Sequence, residues 1–245
     1  MKLVLTDAQH FKRCVDAIAV LVEEAEFVVS DSGLSLKATD PSQISMVDFF
    51  LPKKAFKEFN IAAETKLGLD LNYLSQVMAR SKAKEELLLE LDEEKSRLKL
   101  TFRGTSTRNF SIPLIDISAQ ELPNPKIEFS AMVKLRSEVL QDALKDAALL
   151  SNHLVLGANA EKFFVKTNSS KGELNNECVK EELSALQVKE ESTSMFPLDY
   201  LQNMLKAAGS NDEINLHLKS NAPVKINYKI GQAEITYFLA PRIES

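Results

Sequence analysis

The sequence predicts an α+β fold present twice in one chain: two similar domains, each with two helices packed on antiparallel sheet. Three observations predict it. A tetrapeptide recurs, the apolar face of a helix recurs ahead of it, and strand-like runs follow it in the same order each time. Leu71-Asn72-Tyr73-Leu74 returns as Leu198-Asp199-Tyr200-Leu201, so that Leu71 maps onto Leu198. A chain of 245 residues is long enough for two such domains, each with its own core.

In the first half, Phe11, Cys14, Val15, Ile18, Leu21 and Val22 follow the i, i+3, i+4, i+7 spacing of one apolar helix face. Phe27-Val28-Val29 is strand-like, and Asp31-Ser32-Gly33 supplies a tight hairpin turn. Leu71 opens a second, short amphipathic helix, and the polar stretch from Ser81 to Glu86 ends it. Leu87 to Leu91, Leu98 to Phe102 and Phe110-Ser111-Ile112 then read as strands. The second half repeats the series. Val139, Ala143, Leu144, Ala147 and Leu150 form a helix face, and Leu154-Val155-Leu156 is the strand after it. The helix from Leu198 ends at Gly209-Ser210-Asn211-Asp212. Ile214 to Leu218, Val224 to Tyr228 and Tyr237-Phe238-Leu239 supply the last strands. The third of these maps onto Phe110-Ser111-Ile112 at the same interval that carries Leu71 onto Leu198.

Between the halves, Pro113, Pro123 and Pro125 fall within 13 residues, which favours an extended connector because proline cannot donate to a sheet ladder. Its apolar residues Leu114, Ile115, Ile117 and Leu122 have neither a helical nor a strand period. Such a segment either packs on the sheets or offers side chains to a partner. Domains are therefore expected at residues 1–115 and 130–245, with a connector over 116–129.

Composition excludes several classes. Apolar content of 44% and charged content of 27% are those of a soluble globular protein. No apolar run approaches the roughly 18–20 residues of a membrane span, and the Met-Lys-Leu-Val-Leu start lacks a signal-peptide pattern. Cys14 and Cys178 cannot form a disulfide framework, so a reducing compartment is expected, with Cys14 in the core. His10, His153 and His217 lack metal-ligand spacing with either cysteine. No glycine-rich phosphate loop and no Gly-x-Ser-x-Gly is present. No catalytic constellation, metal or cofactor is therefore expected. A metal-dependent nuclease using dispersed carboxylates is the enzymatic alternative.

The net charge of −5 argues against a uniformly basic surface but leaves room for one basic face. Lys12, Arg13 and Asp16 fall opposite the apolar side of the first helix; Lys145 and Lys206 take that side on the third and fourth. Arg80, Lys82 and Lys84 cluster where the second helix ends. Glu138, Asp142 and Asp146 at i, i+4 and i+8 make an acidic stripe on the third helix, a spacing at which like charges repel. From the residues alone, these are either solvated faces or surfaces awaiting an opposite charge.

Three stretches carry a family resemblance: Leu36-Lys37-Ala38-Thr39-Asp40-Pro41-Ser42-Gln43-Ile44-Ser45-Met46-Val47, then Pro223 to Ile230, then Tyr237-Phe238-Leu239-Ala240-Pro241-Arg242-Ile243-Glu244. The chain resembles the sliding clamps of archaea and eukaryotes, the proliferating cell nuclear antigen (PCNA) family, with the Asp-Pro-Ser loop closer to the archaeal type. The resemblance implies a trimer of two-domain subunits closed into a ring around duplex DNA, with helices lining the hole. It implies a processivity factor, not an enzyme, that tethers DNA polymerase, clamp loader, flap endonuclease and ligase through short PIP-type peptides. Lys12, Arg13, Arg80, Lys82, Lys84, Lys145 and Lys206 would then touch DNA phosphates. Gln43, Ile44, Leu122, Pro123, Pro223, Phe238, Leu239, Ala240 and Pro241 would form the partner pocket. Arg80, Lys82 and Arg108 would face Glu138, Asp142, Asp146 and Cys178 of the next subunit, beside edge pairing of about 108–114 with about 177–181. Arg80 is thus assigned to both DNA and junction. The location implied is the cytoplasmic nucleoid for an archaeal clamp and the nucleus for a eukaryotic one. A subunit of a heterotrimeric or checkpoint-type clamp is the second reading.

Overall fold

A computed structural model describes residues 1–118, 122 and 125–242. The chain divides into two compact units. The first comprises Met1–Pro41, Val47–Leu122 and Ile230–Ile235; the second comprises Ser42–Met46, Pro123–Lys229 and Thr236–Ser245.

The first half of the chain runs β1 (Lys2–Leu5), α1 (Ala8–Ala19), β2 (Glu24–Ser30), β3 (Gly33–Thr39), β4 (Ser45–Pro52), β5 (Glu58–Asn60), β6 (Thr65–Asp70), α2 (Leu71–Met78), β7 (Glu86–Asp92), β8 (Arg97–Arg103) and β9 (Thr107–Pro113). The second half repeats this series element for element. It runs β10 (Ala131–Arg136), α3 (Ser137–Ala148), β11 (His153–Ala158), β12 (Lys162–Ser169), β13 (Gly172–Val179), β14 (Ala185–Val188), β15 (Ser192–Pro197), α4 (Leu198–Leu205), β16 (Glu213–Leu218), β17 (Val224–Ile230) and β18 (Ala233–Leu239). Strand order repeats as well. In the first half it is β5-β1-β7-β8-β9 and β4-β3-β2-β6; in the second, β14-β10-β16-β17-β18 and β13-β12-β11-β15. The predicted fold class is what the chain adopts.

Local chemistry explains the helix starts. The Asp7 carboxylate accepts the Gln9 N–H at 2.9 Å, and Asp70 accepts the Tyr73 N–H at 2.9 Å, so each takes up a backbone donor that the first turn leaves without a partner. The predicted face of α1 is inside: Phe11, Cys14, Val15 and Ile18 are buried, as are Leu21 and Val22 just past its end. On α3 the buried stripe is Leu140, Ala143, Leu144 and Ala147. Val139 stands at the edge of that stripe and is half-buried, so the expected face was one residue out at its start. Leu150 is half-buried beyond the helix end.

Each helix pair is tied by one side-chain amide. Gln9 Nε2 donates to Ser81 O at 2.7 Å; Gln141 Nε2 donates to Leu205 O at 2.9 Å and Ala208 O at 3.2 Å. Both satisfy carbonyls at the end of the second helix of the pair, groups with no intrahelical donor. The Asp31-Ser32 turn joins β2 to β3 as expected, and Gly33 has φ +146°. A Cβ there would lie 2.2 Å from Leu51 O, so the turn requires glycine. The Cys14 thiol is fully buried, and desolvation pushes its pKa up to about 12, in keeping with a core role.

Candidate functional site

One repeated turn organises the charged end of each unit. In the first, the Ala8 N–H bonds Glu85 O at 2.8 Å and the Lys82 N–H bonds Glu85 Oε2 at 2.7 Å. In the second, the Ser137 N–H bonds Asp212 O at 2.8 Å and the Gly209 N–H bonds Asp212 Oδ2 at 2.7 Å. Glu85 maps onto Asp212, and Lys82 onto Gly209, at the interval that carries Leu71 onto Leu198, so an acid recurs at this corner. In the first unit a cation joins the corner. Arg108 Nη2 meets Glu85 Oε2 at 2.6 Å, Arg108 Nη1 donates to Arg80 O at 2.8 Å, and its guanidinium lies 5.2 Å from the Phe102 ring. The Glu85 side chain is 4% exposed and that of Arg108 is 23% exposed. Glu85 falls in the polar stretch that ends the second helix, and this pair is not among the expectations from sequence. The recurrence of an acid at the same interval marks the corner, but not Arg108 as its partner.

This arrangement decides how the expected junction residues lie. Arg80, Lys82 and Arg108 do come together, at the end of α2 and on β9, the outer strand of its sheet. Arg108, however, is held by Glu85, so Arg80 and Lys82 are the exposed charges there. In the second unit Glu138, Asp142 and Asp146 form the expected stripe along α3. Glu138 pairs with Arg136 at 3.0 Å and Asp142 with Lys145 at 2.8 Å. Asp146 is exposed and has no ion pair among the described residues. Leu149 (74% exposed) and Val179 (44% exposed) are large apolar side chains left in the open at the ends of α3 and β13. Cys178 needs correction. Its side chain is 7% exposed, because strand alternation turns it inward, and burial together with Glu182 raises its thiol pKa. At β13 it can offer only its backbone. The edge strand also stops at Val179, and Lys180–Glu182 turn off in a 3₁₀ turn, two residues short of the expected pairing.

Of the expected phosphate-contacting residues, Lys12, Arg13 and Lys145 lie on helices, Lys206 caps the end of α4, and Arg80, Lys82 and Lys84 lie in the turn after α2. Arg13, Arg80, Lys82, Lys84, Lys145 and Lys206 are exposed. Lys12 is half-buried and bound to Asp16 at 2.5 Å, and Asp16 also accepts from Ser75 Oγ at 3.1 Å, so little of its charge is free. The Lys145–Asp142 pair is solvated on both sides and holds Lys145 weakly. Lys145 and Lys206 flank a groove of about 440 Å³ between α3 and α4, with Gln141, Gln202 and Asn203 as polar lining.

Most residues expected for the partner pocket fall in the second unit. The Ala240 N–H bonds Ile44 O at 2.8 Å, which ties the tail to the front loop. Gln43 adopts φ +57° and is exposed; Ile44 is 36% exposed. Phe238, Ala240, Pro241 and Pro223 are half-buried, and Lys225 Nζ lies 6.0 Å from the Phe238 ring. Leu239 needs correction: it is 0% exposed, since alternation along β18 turns it into the core while Phe238 faces out. Leu122 falls in the first unit and lines a cavity there with Ile117 and Ser118. Pro123 lies outside the described residues, as do Ile243 and Glu244. Among the described residues, no group of three histidine, cysteine or carboxylate side chains is placed to hold a metal.

The chain matches the family described as proliferating cell nuclear antigen, N-terminal domain, over residues 1–121, and its C-terminal domain over residues 124–243. It is 36% identical over 248 residues to the DNA polymerase sliding clamp of Thermofilum pendens, covering 100% of both chains. Among solved structures it is similar to A. fulgidus PCNA bound to the C-terminal region of FEN-1, at 29% identity and TM-score 0.90, covering 100% of this chain and 99% of that one. It is also similar to a chain of the PCNA2–PCNA3 complex from Sulfolobus tokodaii, at 25% identity and TM-score 0.90, covering 100% of both.

Proposed function

Because the chain belongs to the proliferating cell nuclear antigen family, we propose that it is a DNA polymerase sliding clamp, one subunit of a ring that encircles duplex DNA and tethers replication and repair enzymes. The observation that carries this reading is the match of both halves to the family's two domains across nearly the whole chain. The protein acts as a scaffold, not a catalyst, and its place of work is the DNA being copied. Electron microscopy of the purified protein tests the reading directly. A three-lobed annulus with a hole wide enough for duplex DNA is expected; separate compact particles would refute it.

Ring closure is proposed to be head to tail. The outer edge of β9, beside Arg80 and Lys82, pairs with the outer edge of β13, beside Asp142, Asp146, Leu149 and Val179 of the next subunit. Opposite charges flank the strands, and the exposed Leu149 and Val179 gain cover. Changing Asp142 and Asp146 together to lysine is expected to shift the assembly toward monomer in sedimentation velocity. An unchanged ring would reject the ion-pairing part of the proposal.

DNA contact is proposed for Arg13, Arg80, Lys82, Lys84, Lys145 and Lys206, with Lys12 a lesser contributor because Asp16 holds it. Such contacts read phosphate, not sequence, and weaken steeply with salt. A closed ring tolerates weak contacts, because topology retains it and weak contacts permit sliding. Replacing Lys145 and Lys206 by glutamine is expected to reduce the slope of log affinity against log salt by about 2. An unchanged slope would remove these two lysines from the interface.

The similarity to a chain of a two-protein clamp complex keeps a heteromeric ring as the second reading. The mass of the chain expressed alone decides: a trimer supports self-closure, and a persistent monomer supports a mixed ring.

A further inference from the structure

In both units the chain makes the same move after its last strand. The Ile115 N–H bonds Gly68 O on β6 at 3.0 Å, and the Arg242 N–H bonds Met195 O on β15 at 2.7 Å. Ile115 maps onto Arg242 and Gly68 onto Met195 at the interval that carries Leu71 onto Leu198, so the start of the connector and the C-terminal tail are equivalent. Each segment borders a cavity. In the first unit, Ile117, Ser118 and Leu122 wall a cavity of about 590 Å³ over the outer face of β2 and β3. In the second, Arg242 lines the matching face, where the cavity over β11 and β12 is about 910 Å³.

Register allows the two faces to be compared residue by residue. Phe27 pairs with Leu36 as Leu156 pairs with Val165, so Glu24, Glu26 and Lys37 correspond to His153, Val155 and Lys166. Val28 pairs with Lys66 as Gly157 pairs with Thr193. Asn175 stands opposite Lys166 where Asp48 stands against Lys37. The first face therefore holds two ion pairs, Lys37–Asp48 at 3.5 Å and Lys66–Glu26 at 3.0 Å. On the second face the carboxylates of Glu24, Glu26 and Asp48 are all replaced by groups without negative charge. Lys166 remains, with Nζ 4.4 Å from the Phe164 ring and no ion pair among the described residues. Arg242 Nη1 lies 3.1 and 2.9 Å from the two ring nitrogens of His153. Glu173 is the one carboxylate among the described lining residues, and Glu177, which also feels the Lys166 charge, is paired with Lys162 at 2.7 Å.

We propose that this outer face of the second unit is a docking surface for an extended acidic peptide of a partner protein, seated where the connector lies in the first unit. Apolar side chains of the peptide rest on Val155 and Met195, and its carboxylates reach Lys166 and Arg242. The surface shares no described lining residue with the Phe238 pocket, and its argument does not depend on ring closure.

The test is fluorescence anisotropy at low salt with a labelled decapeptide alternating leucine and aspartate. Binding is expected that weakens as salt is added and falls by about tenfold or more in Lys166→Glu with Val155→Glu, which removes the cation and places at Val155 the acid that Glu26 supplies on the first face. Both positions lie on the sheet surface, and circular dichroism confirms that the variant is folded. Phe238→Ala is expected to leave this affinity unchanged. The proposal is overturned if the unaltered protein does not bind the peptide, if Phe238→Ala and not the double variant abolishes binding, or if a leucine–lysine peptide binds equally well.

Discussion

Replacing Glu85 by alanine is expected to destabilise the protein by about 3 kcal/mol, the cost of leaving a largely buried charge without its partner. Arg108 is 23% exposed and would be left with the Arg80 carbonyl and the Phe102 ring alone. The Lys82 amide would also lose its acceptor. The measurement is the urea midpoint at fixed protein concentration, since subunit association adds to apparent stability. Adding Arg108→Leu to Glu85→Ala is expected to restore part of the loss, because removing both charges leaves neither stranded. A loss under about 0.5 kcal/mol for Glu85→Ala, the range of an ordinary surface change, would show that the pair is solvated.

Phe238→Ala is expected to weaken binding of a client peptide by about 2 kcal/mol or more, roughly 30-fold, as loss of a central aromatic anchor does. Phe238 faces outward and is half-buried, so the fold should survive the change. Leu239→Ala should behave in the opposite way. Leu239 is 0% exposed, and its truncation is expected to cost about 2–5 kcal/mol of stability. Calorimetry with a peptide of the endonuclease type, alongside thermal melts, separates the two. Equal peptide affinity for the Phe238 variant and the unaltered protein would exclude the tail as the partner site.

The duplicated architecture was legible because helical and strand periods recur in the same order, and packing obeyed them: Phe11, Cys14, Val15 and Ile18 are where the spacing put them. The charged helix faces were legible for the same reason. What the sequence could not show was pairing between residues distant along the chain. Nothing near Arg108 announces that Glu85 will meet it, and a run such as Ser81 to Glu86 looks solvated until β9 is folded beside it. Leu239 and Cys178 were misplaced for a simpler cause. Both belong to motifs whose neighbours are exposed, and strand alternation turns every second side chain inward whatever the motif. The match between Ile115 and Arg242 was equally hidden, because the two residues share backbone position and not chemistry.

The burial of both thiols has a bearing on how the molecule meets oxidants and alkylating reagents. Cys14 is 0% exposed with its pKa pushed up to about 12, and Cys178 is 7% exposed with its pKa raised. The thiolate is the reactive form, so neither sulfur is a ready nucleophile while the chain is folded. A maleimide added to the native protein therefore meets little to react with, and labelling becomes a readout of opening.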